Sequence, residues 1–311
     1  MSETVIQTDS LTRDFKSTRA VDGLNIQVPR GAIYGFLGPN GSGKTTTIRM
    51  LLGLLEPSSG KAAVLSHDVV RQADEIRNRC GALLEYSGLY ERLSAEDNLE
   101  LFGRIYQMSA SKRRERVQEL LQSFGLWERR KDIAGTWSRG MKQKLAVARA
   151  MFHRPAVVFL DEPTAGMDPV AAANLREELA ALVRREEVTV FLTTHNLSEA
   201  EKLCAKIAVI RNGKLLFEGR PDQLRARQDR HRAEIVGQGF NDGVLTMLRS
   251  QPQVQSVELE NGRLFVDLNE NARMSGLVPQ LVQAGVEIEE IRKEQVSFED
   301  VFLNLVEEDG K

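Results

Sequence analysis

Nine consecutive residues, Gly38-Pro39-Asn40-Gly41-Ser42-Gly43-Lys44-Thr45-Thr46, limit the folds open to this chain more than any other stretch. Gly38 with Gly43-Lys44-Thr45 completes the spacing G-x-x-x-x-G-K-[ST], the pattern of a phosphate-binding loop. The flanks agree. Apolar residues 32–37 predict a buried strand before the loop, and residues 46–52 predict a helix after it. Glycine lets backbone N–H groups curl around a polyphosphate without a Cβ in the way, and a helix N-terminus adds unpaired donors. In such a loop Lys44 can reach the β- and γ-phosphates, while the Thr45 hydroxyl can ligate Mg²⁺.

The chain has 311 residues, enough for one large domain or for a large and a small one. With 28% charged residues and a formal net charge of −2, it carries no global attraction to nucleic acid or anionic membrane. No nucleic-acid partner is expected. Cys80 and Cys204 lack metal or redox spacing and read as reduced, buried packing residues of a cytosolic protein. No apolar run approaches the ~20 residues that cross a bilayer. Met1-Ser2-Glu3-Thr4 lacks a basic and apolar leader, so secretion is not expected. Work at a membrane would require a partner to supply the membrane part.

Up to about residue 220 the pattern alternates strands and helices. Strands are predicted over 5–11, 24–28, 61–65 and 81–84, and helices over 95–108, 112–124 and 141–153, a helical insertion. Two apolar strands, 156–160 and 189–193, are joined by a helix over 169–186, with Asp168 as N-cap and Pro169 at the first helical position. Apolar strands separated by helices imply a buried parallel sheet. Past Pro221 the composition shifts, and Arg225, Arg227, Arg230 and Arg232 mark a basic connector, read as a solvated helix end. Beyond it the order is strand 233–236, helix 242–250, strand 254–260, an Asn261-Gly262 turn, strand 263–268, helix 277–284, strand 287–292 and helix 298–306. That β-α-β-β-α-β order is the ferredoxin-like arrangement. The expected division is a nucleotide-binding domain over 1–223 with a helical subdomain over 87–153, a linker over 224–232 and an accessory domain over 233–311.

Val157-Val158-Phe159-Leu160-Asp161-Glu162 is four apolar residues ending in two carboxylates. At the C-terminal end of a strand beside the phosphate loop, Asp161 would hold Mg²⁺, and Glu162 would polarise a water for attack on the γ-phosphate. With these elements in place, the chain resembles the ATP-binding subunits of ABC transporters over about residues 5–223. Trp137-Ser138-Arg139-Gly140-Met141-Lys142-Gln143-Lys144-Leu145 is similar to the family signature L-S-G-G-Q; Ser138 and Gly140 match, and Trp137, Arg139 and Met141 depart. The resemblance implies a P-loop NTPase fold of α/β class, with the ferredoxin-like α+β unit appended.

It further implies that Ser138 and Gly140 bind the γ-phosphate held by an opposing subunit, with Ser138 capping a helix that begins near Met141. Ala165-Gly166-Met167-Asp168 corresponds to the D-loop, and His195 to the switch histidine that contacts the γ-phosphate and Glu162. Phe15 lies where the family places an aromatic residue against adenine; a core Phe is the rival reading. The family normally has Gln after strand 81–84, where this chain has Glu85, expected to keep a metal and coupling role. Lys44, Thr45, Asp161, Glu162 and His195 would then serve one face of a nucleotide, while Ser138 and Gly140 face away. The resemblance therefore implies a homodimer bridged by ATP and Mg²⁺, working with a separately encoded membrane permease, peripheral on the cytoplasmic face. The signature and the closing Val296–Leu303 segment resemble single-cassette drug-resistance and small-molecule exporters. Two other readings stand beside export: a soluble ABC-type ATPase acting on DNA or ribosomes, and a nucleotide-dependent regulatory switch.

Overall fold

A computed structural model describes residues 3–226, 231–269, 272, 274–293 and 297–308. Met1, Ser2, Arg227, Arg230 and Val296, each used in the sequence reading, lie outside these residues. The chain divides into two units, Met1–Pro221 with Leu305–Lys311 and Asp222–Asn304.

Six strands form the central sheet of the larger unit, in the order Lys214–Gly219, Lys206–Arg211, Ile33–Leu37, Thr189–Thr194, Val157–Asp161, Cys80–Leu83. All neighbours are parallel except the first pair, which is antiparallel. Ile33–Leu37, Val157–Asp161 and Thr189–Thr194 are buried at every position, as their largely apolar runs require of a sheet covered on both faces. Phe191 sits among Tyr34, Phe36 and Phe159, with ring centroids 5.6, 5.2 and 5.6 Å away. Such rings bury large apolar areas and lock the three central strands in register. Because the strands are parallel, the loops after Leu37, Asp161 and Thr194 emerge at one sheet edge, the place where open α/β sheets bind ligands.

A second, antiparallel sheet pairs Thr4–Phe15 with Thr18–Leu24, Gln27–Pro29 and Ser59–Val64. The expected strand over 5–11 thus runs on to Phe15 and turns back at once. That hairpin escaped the sequence reading because its turn is Lys16-Ser17, with Lys16 itself at φ 43, and carries no Gly or Asn signal. Lys206–Arg211 and Lys214–Gly219 were also not foreseen, although Asn212-Gly213 between them, at φ 49 and 80, has the favoured hairpin sequence.

Helices Ala95–Ile105, Ala110–Ser123 and Arg139–Ala150 form the helical insertion. The last begins two residues earlier than expected and ends three earlier. Arg116, 2% exposed, ties this layer down: it donates to both carboxylate oxygens of Glu186 (2.6 and 2.8 Å), to Glu119 (2.8 Å) and to the carbonyls of Met151 and Phe152. A buried guanidinium is tolerated only when its donors are met, and here they are.

In the smaller unit the strand order is Val254–Glu260, Arg263–Leu268, His231–Gln238, Glu287–Lys293, all antiparallel, with helices Asp242–Arg249 and Val278–Gln283 in the crossovers. This is the ferredoxin-like topology. Asn261 and Gly262 both take positive φ (50 and 76), as a two-residue hairpin demands. Arg232, expected in a connector, lies instead on a strand and pairs with Glu258 at 2.7 Å; Arg225 stands in the last turn of helix Pro221–Ala226.

Half-buried His153 stacks on Tyr106 with centroids 3.8 Å apart. Burial pushes its pKa down to about 4, with Arg116 and Arg149 adding repulsion. The unfolded chain keeps a value near about 6.5, so folding excludes a proton in between. Stability contributed by neutral His153 is complete above that unfolded value and is lost as the pH falls through about 4. His153→Phe keeps the stacked ring and is expected to flatten the loss of urea midpoint below neutral pH; parallel pH profiles for parent and variant would exclude this.

Candidate nucleotide-binding site

Strand Ile33–Leu37 delivers the chain into the loop at Gly38, where a Cβ would lie 2.4 Å from the Ile210 carbonyl oxygen. Gly43, at φ 106, ends the loop; a Cβ there would stand 2.3 Å from the Ala20 carbonyl. Only glycine fits either place, which is why the spacing of these two residues carries so much information. Helix Lys44–Leu51 follows directly, its first amides turned toward the loop. Asn40, Gly41, Gly43, Lys44, Thr45 and Thr46 line a cavity of about 460 Å³ together with Glu85, Asp161 and Glu162. Pro39 accepts a hydrogen bond from the Ser42 amide at 3.2 Å, and the buried Ser42 Oγ has no hydrogen-bond partner. The Lys44 ammonium donates to the carbonyls of Gly38 (2.7 Å) and Pro39 (3.1 Å) and stands 3.5 Å from Glu162 Oε1.

Asp161 closes strand Val157–Asp161 and sits level with Thr193 on the neighbouring strand. Its Oδ2 accepts from Thr45 Oγ1 at 2.7 Å, and its Oδ1 accepts from Thr193 Oγ1. At Glu162 the backbone flips to φ 52, and its amide donates to the Thr193 carbonyl at 3.1 Å. That turn swings the Glu162 carboxylate toward His195, whose Nδ1 lies 2.8 Å from Glu162 Oε2. Left-handed backbone at a non-glycine residue costs about 1–3 kcal/mol and persists only where neighbours enforce it. The result is one cation, a hydroxyl and two carboxylates converging on a cavity, with an imidazole braced behind one carboxylate.

The remaining expected residues lie elsewhere. Ser138 caps helix Arg139–Ala150 by accepting from the Met141 amide at 3.3 Å. Ser138, Gly140, Met167 and Asp168 line a second cavity of about 450 Å³, not the one at the phosphate loop. Asp168 caps helix Pro169–Glu186, accepting from the Ala171 amide at 2.9 Å. Glu85 lines the first cavity but pairs with Arg49 at 3.6 Å. Phe15 is 42% exposed, so it is not a core residue; the Arg13 guanidinium covers its ring at 4.7 Å, and it is not among the residues lining the phosphate-loop cavity. Thr193 was missed by sequence reasoning, although a polar residue closing an apolar strand was a signal. Arg139 and Gln143, which also line the first cavity, carried no readable signal. Among the described residues no three His, Cys, Asp or Glu side chains group as a metal cage, and no helix is long and apolar enough to cross a membrane.

Residues 21–165 match the family model for the ABC transporter, and residues 219–306 match that for the C-terminal domain of DrrA1-3-like ATP-binding proteins. The chain is 36% identical to the daunorubicin resistance ATP-binding protein DrrA3 of Streptomyces coeruleorubidus, over 100% of this chain and 98% of that protein. It belongs to the ABC transporter ATP-binding proteins. The bacitracin transport ATP-binding protein BcrA of Bacillus licheniformis is likewise 36% identical, over 97% of each chain. A solved ATP-binding subunit of an ABC transporter superposes with a TM-score of 0.64 at 28% identity, over 72% of this chain and 93% of that one. In this ABC protein the cassette fold thus comes with the extra C-terminal unit typical of the DrrA type.

Both Gly41 and Gly43 have positive φ, but only Gly43 has a carbonyl where a Cβ would go. Gly41→Ala should cost the backbone strain of about 1–3 kcal/mol, and Gly43→Ala distinctly more. Denaturant midpoints of the two variants check this; equal losses would mean that the Ala20 carbonyl does not define the loop.

Proposed function

We propose that this chain binds and hydrolyses Mg²⁺-ATP, and that two copies closing on ATP drive export through a separately encoded membrane subunit. One observation carries the reading: Lys44, Thr45, Asp161 and Glu162 converge on one cavity, while Ser138 and Gly140 line another. A chain that holds two unlike half-sites apart completes both at once by pairing head to tail with a second copy. Triphosphate held by the phosphate loop of one copy then meets Ser138 and Gly140 of the other, and hydrolysis removes that bridge.

In this reading Lys44 leaves its loop carbonyls for the β- and γ-phosphate oxygens. The loop amides from Gly38 to Thr46 cradle the phosphates, with Pro39, Asn40, Gly41 and Ser42 shaping the turn. Glu162 takes a hydrogen bond from water and directs its lone pair at the γ-phosphorus, while His195 steadies the carboxylate through the 2.8 Å contact. Water oxygen bonds to that phosphorus as its proton passes to the Glu162 carboxylate, and the bond to the β-bridging oxygen breaks with its electron pair leaving on ADP. Bound there, Mg²⁺ would neutralise charge building on the phosphate oxygens. Thr45 Oγ1 and Asp161, hard oxygen donors 2.7 Å apart, fit it, with nucleotide phosphates supplying further ligands in the absence of a three-carboxylate cage among the described residues. Glu85 has the same donor chemistry once it leaves Arg49. Phe15 reaches adenine only if Arg13 yields its face.

The proposed division is a cassette over about 1–223 with a helical subdomain over 87–153, and an accessory domain whose first strand is His231–Gln238. The proposed location is peripheral, on the cytoplasmic face of the membrane beside the permease. The names of the drug-resistance and bacitracin-transport relatives support export over a soluble DNA- or ribosome-directed ATPase.

Glu162→Gln keeps the shape of the site and removes the base, so the variant should elute as a dimer at saturating Mg²⁺-ATP; a monomer under those conditions would sink the reading. Glu85→Gln removes one negative charge from the cavity and should shift the Mg²⁺ dependence of ATPase. Superimposable profiles for parent and variant would remove Glu85 from the metal site.

A further inference from the structure

Beyond the residues that face the cavity, one buried carboxyl joins the two loops that carry Glu162 and His195. Glu199, on helix Leu197–Leu203, is 1% exposed. Its Oε2 accepts from Thr164 Oγ1 at 2.8 Å and from Thr194 Oγ1 at 3.1 Å. Thr164 lies two residues after Glu162 and directly before the Ala165–Asp168 loop; Thr194 directly precedes His195. The Thr194 hydroxyl also accepts from the Asn196 amide at 2.9 Å, and Asn196 Oδ1 accepts from the Glu199 amide at 3.1 Å. A single carboxylate oxygen therefore reads the position of both loops.

Helix capping does not account for this arrangement. Asn196 already caps the helix, and the Glu199 side chain accepts from hydroxyls of the two loops, not from its own helix amides. Nor does stability account for it. Glu199 Oε1 is buried without a hydrogen-bond partner, an expensive state for a carboxyl. Burial raises the Glu199 pKa, the Glu162 charge raises it further, and the two hydroxyls with Arg176 oppose the rise. Burial pushes up the pKa of the Cys204 thiol just after this helix, and the Glu199 charge adds to the rise.

We infer that Glu199 is a positioning residue: it clamps the Glu162–Asp168 segment to the Thr194–His195 segment, so that movement of the Asp168 loop reaches the Glu162–His195 contact. This rests on the hydrolytic reading above, since it is the alignment of Glu162 that the clamp serves. Alignment errors of about 1 Å cost on the order of 10²-fold in rate. A loosened clamp lowers turnover while leaving the phosphate loop, and hence ATP affinity, intact.

The test uses the full chain and steady-state ATPase, with Glu162→Gln as the control for the hydrolytic reading itself. Glu199→Leu should lower kcat on the order of 10- to 100-fold with KM for ATP nearly unchanged. Glu199→Gln, which keeps an acceptor oxygen for both threonines, should restore most of it. Thr164→Val should lower kcat alone and add little in the Glu199→Leu background; it also serves if Glu199→Leu does not fold. A second readout needs no turnover: the His195 imidazole ¹⁵N resonances should move in Glu199→Leu and Thr164→Val but stay near parent in Glu199→Gln. Parent-like kcat and unmoved His195 resonances in Thr164→Val or Glu199→Leu, with only a lower melting temperature, would overturn the clamp. A parent whose ATPase is absent or indifferent to Glu162→Gln would count against the hydrolytic reading, while the His195 resonances still decide the clamp.

Discussion

Asp161 accepts hydroxyl hydrogen bonds from Thr45 and Thr193, and this one carboxylate joins the phosphate-loop helix to the two central strands beside it. Hydrogen bonds to a charged group contribute about 1.5–3 kcal/mol each, more than most surface interactions. The carboxylate is buried, so leaving it without donors would be costly. Everything around it follows from that anchor. Glu162 begins where Asp161 ends, its amide held by Thr193, and the left-handed turn there aims its carboxylate back at Lys44 and His195. The apolar strands beneath provide the rigidity that lets such short contacts persist.

Two cavities of the larger unit hold the residues of the two half-sites. Arg139 lines both, lies close against Gly166 and forms no ion pair among the described residues. The buried Arg116 ion-pair cluster meanwhile holds the helical layer to the end of helix Pro169–Glu186. Breaking such a cluster leaves an uncompensated buried charge, so the Ser138 helix is held as part of a firm body. Firm bodies are what a mechanism of opening and closing requires. Flexible half-sites would spend ATP binding energy on their own ordering.

Much of this was legible in the residues. The phosphate loop, the strand ending in Asp161-Glu162, the Asp168-Pro169 helix start and the Asn261-Gly262 hairpin each rest on local chemistry that few sequences satisfy by accident. The Lys16-Ser17 hairpin was not legible, because neither residue favours a left-handed backbone on its own, and Lys16 takes φ 43 where Phe15 pairs with Thr18. Phe15 shows a different limit. Its place in the chain suggested a base platform, yet a neighbouring guanidinium occupies its face.

By itself the sequence determined the class of fold and the chemical parts, because glycine spacing, capping residues and apolar runs act over a few residues. Only the tertiary structure decided which parts meet. Thr193 reaches Asp161 through parallel strand register, Glu199 joins two loops through burial, and Glu85 turns to Arg49 through charge. Those outcomes depend on distances between residues far apart in the chain, and such distances exist only once the sheets and helices have packed.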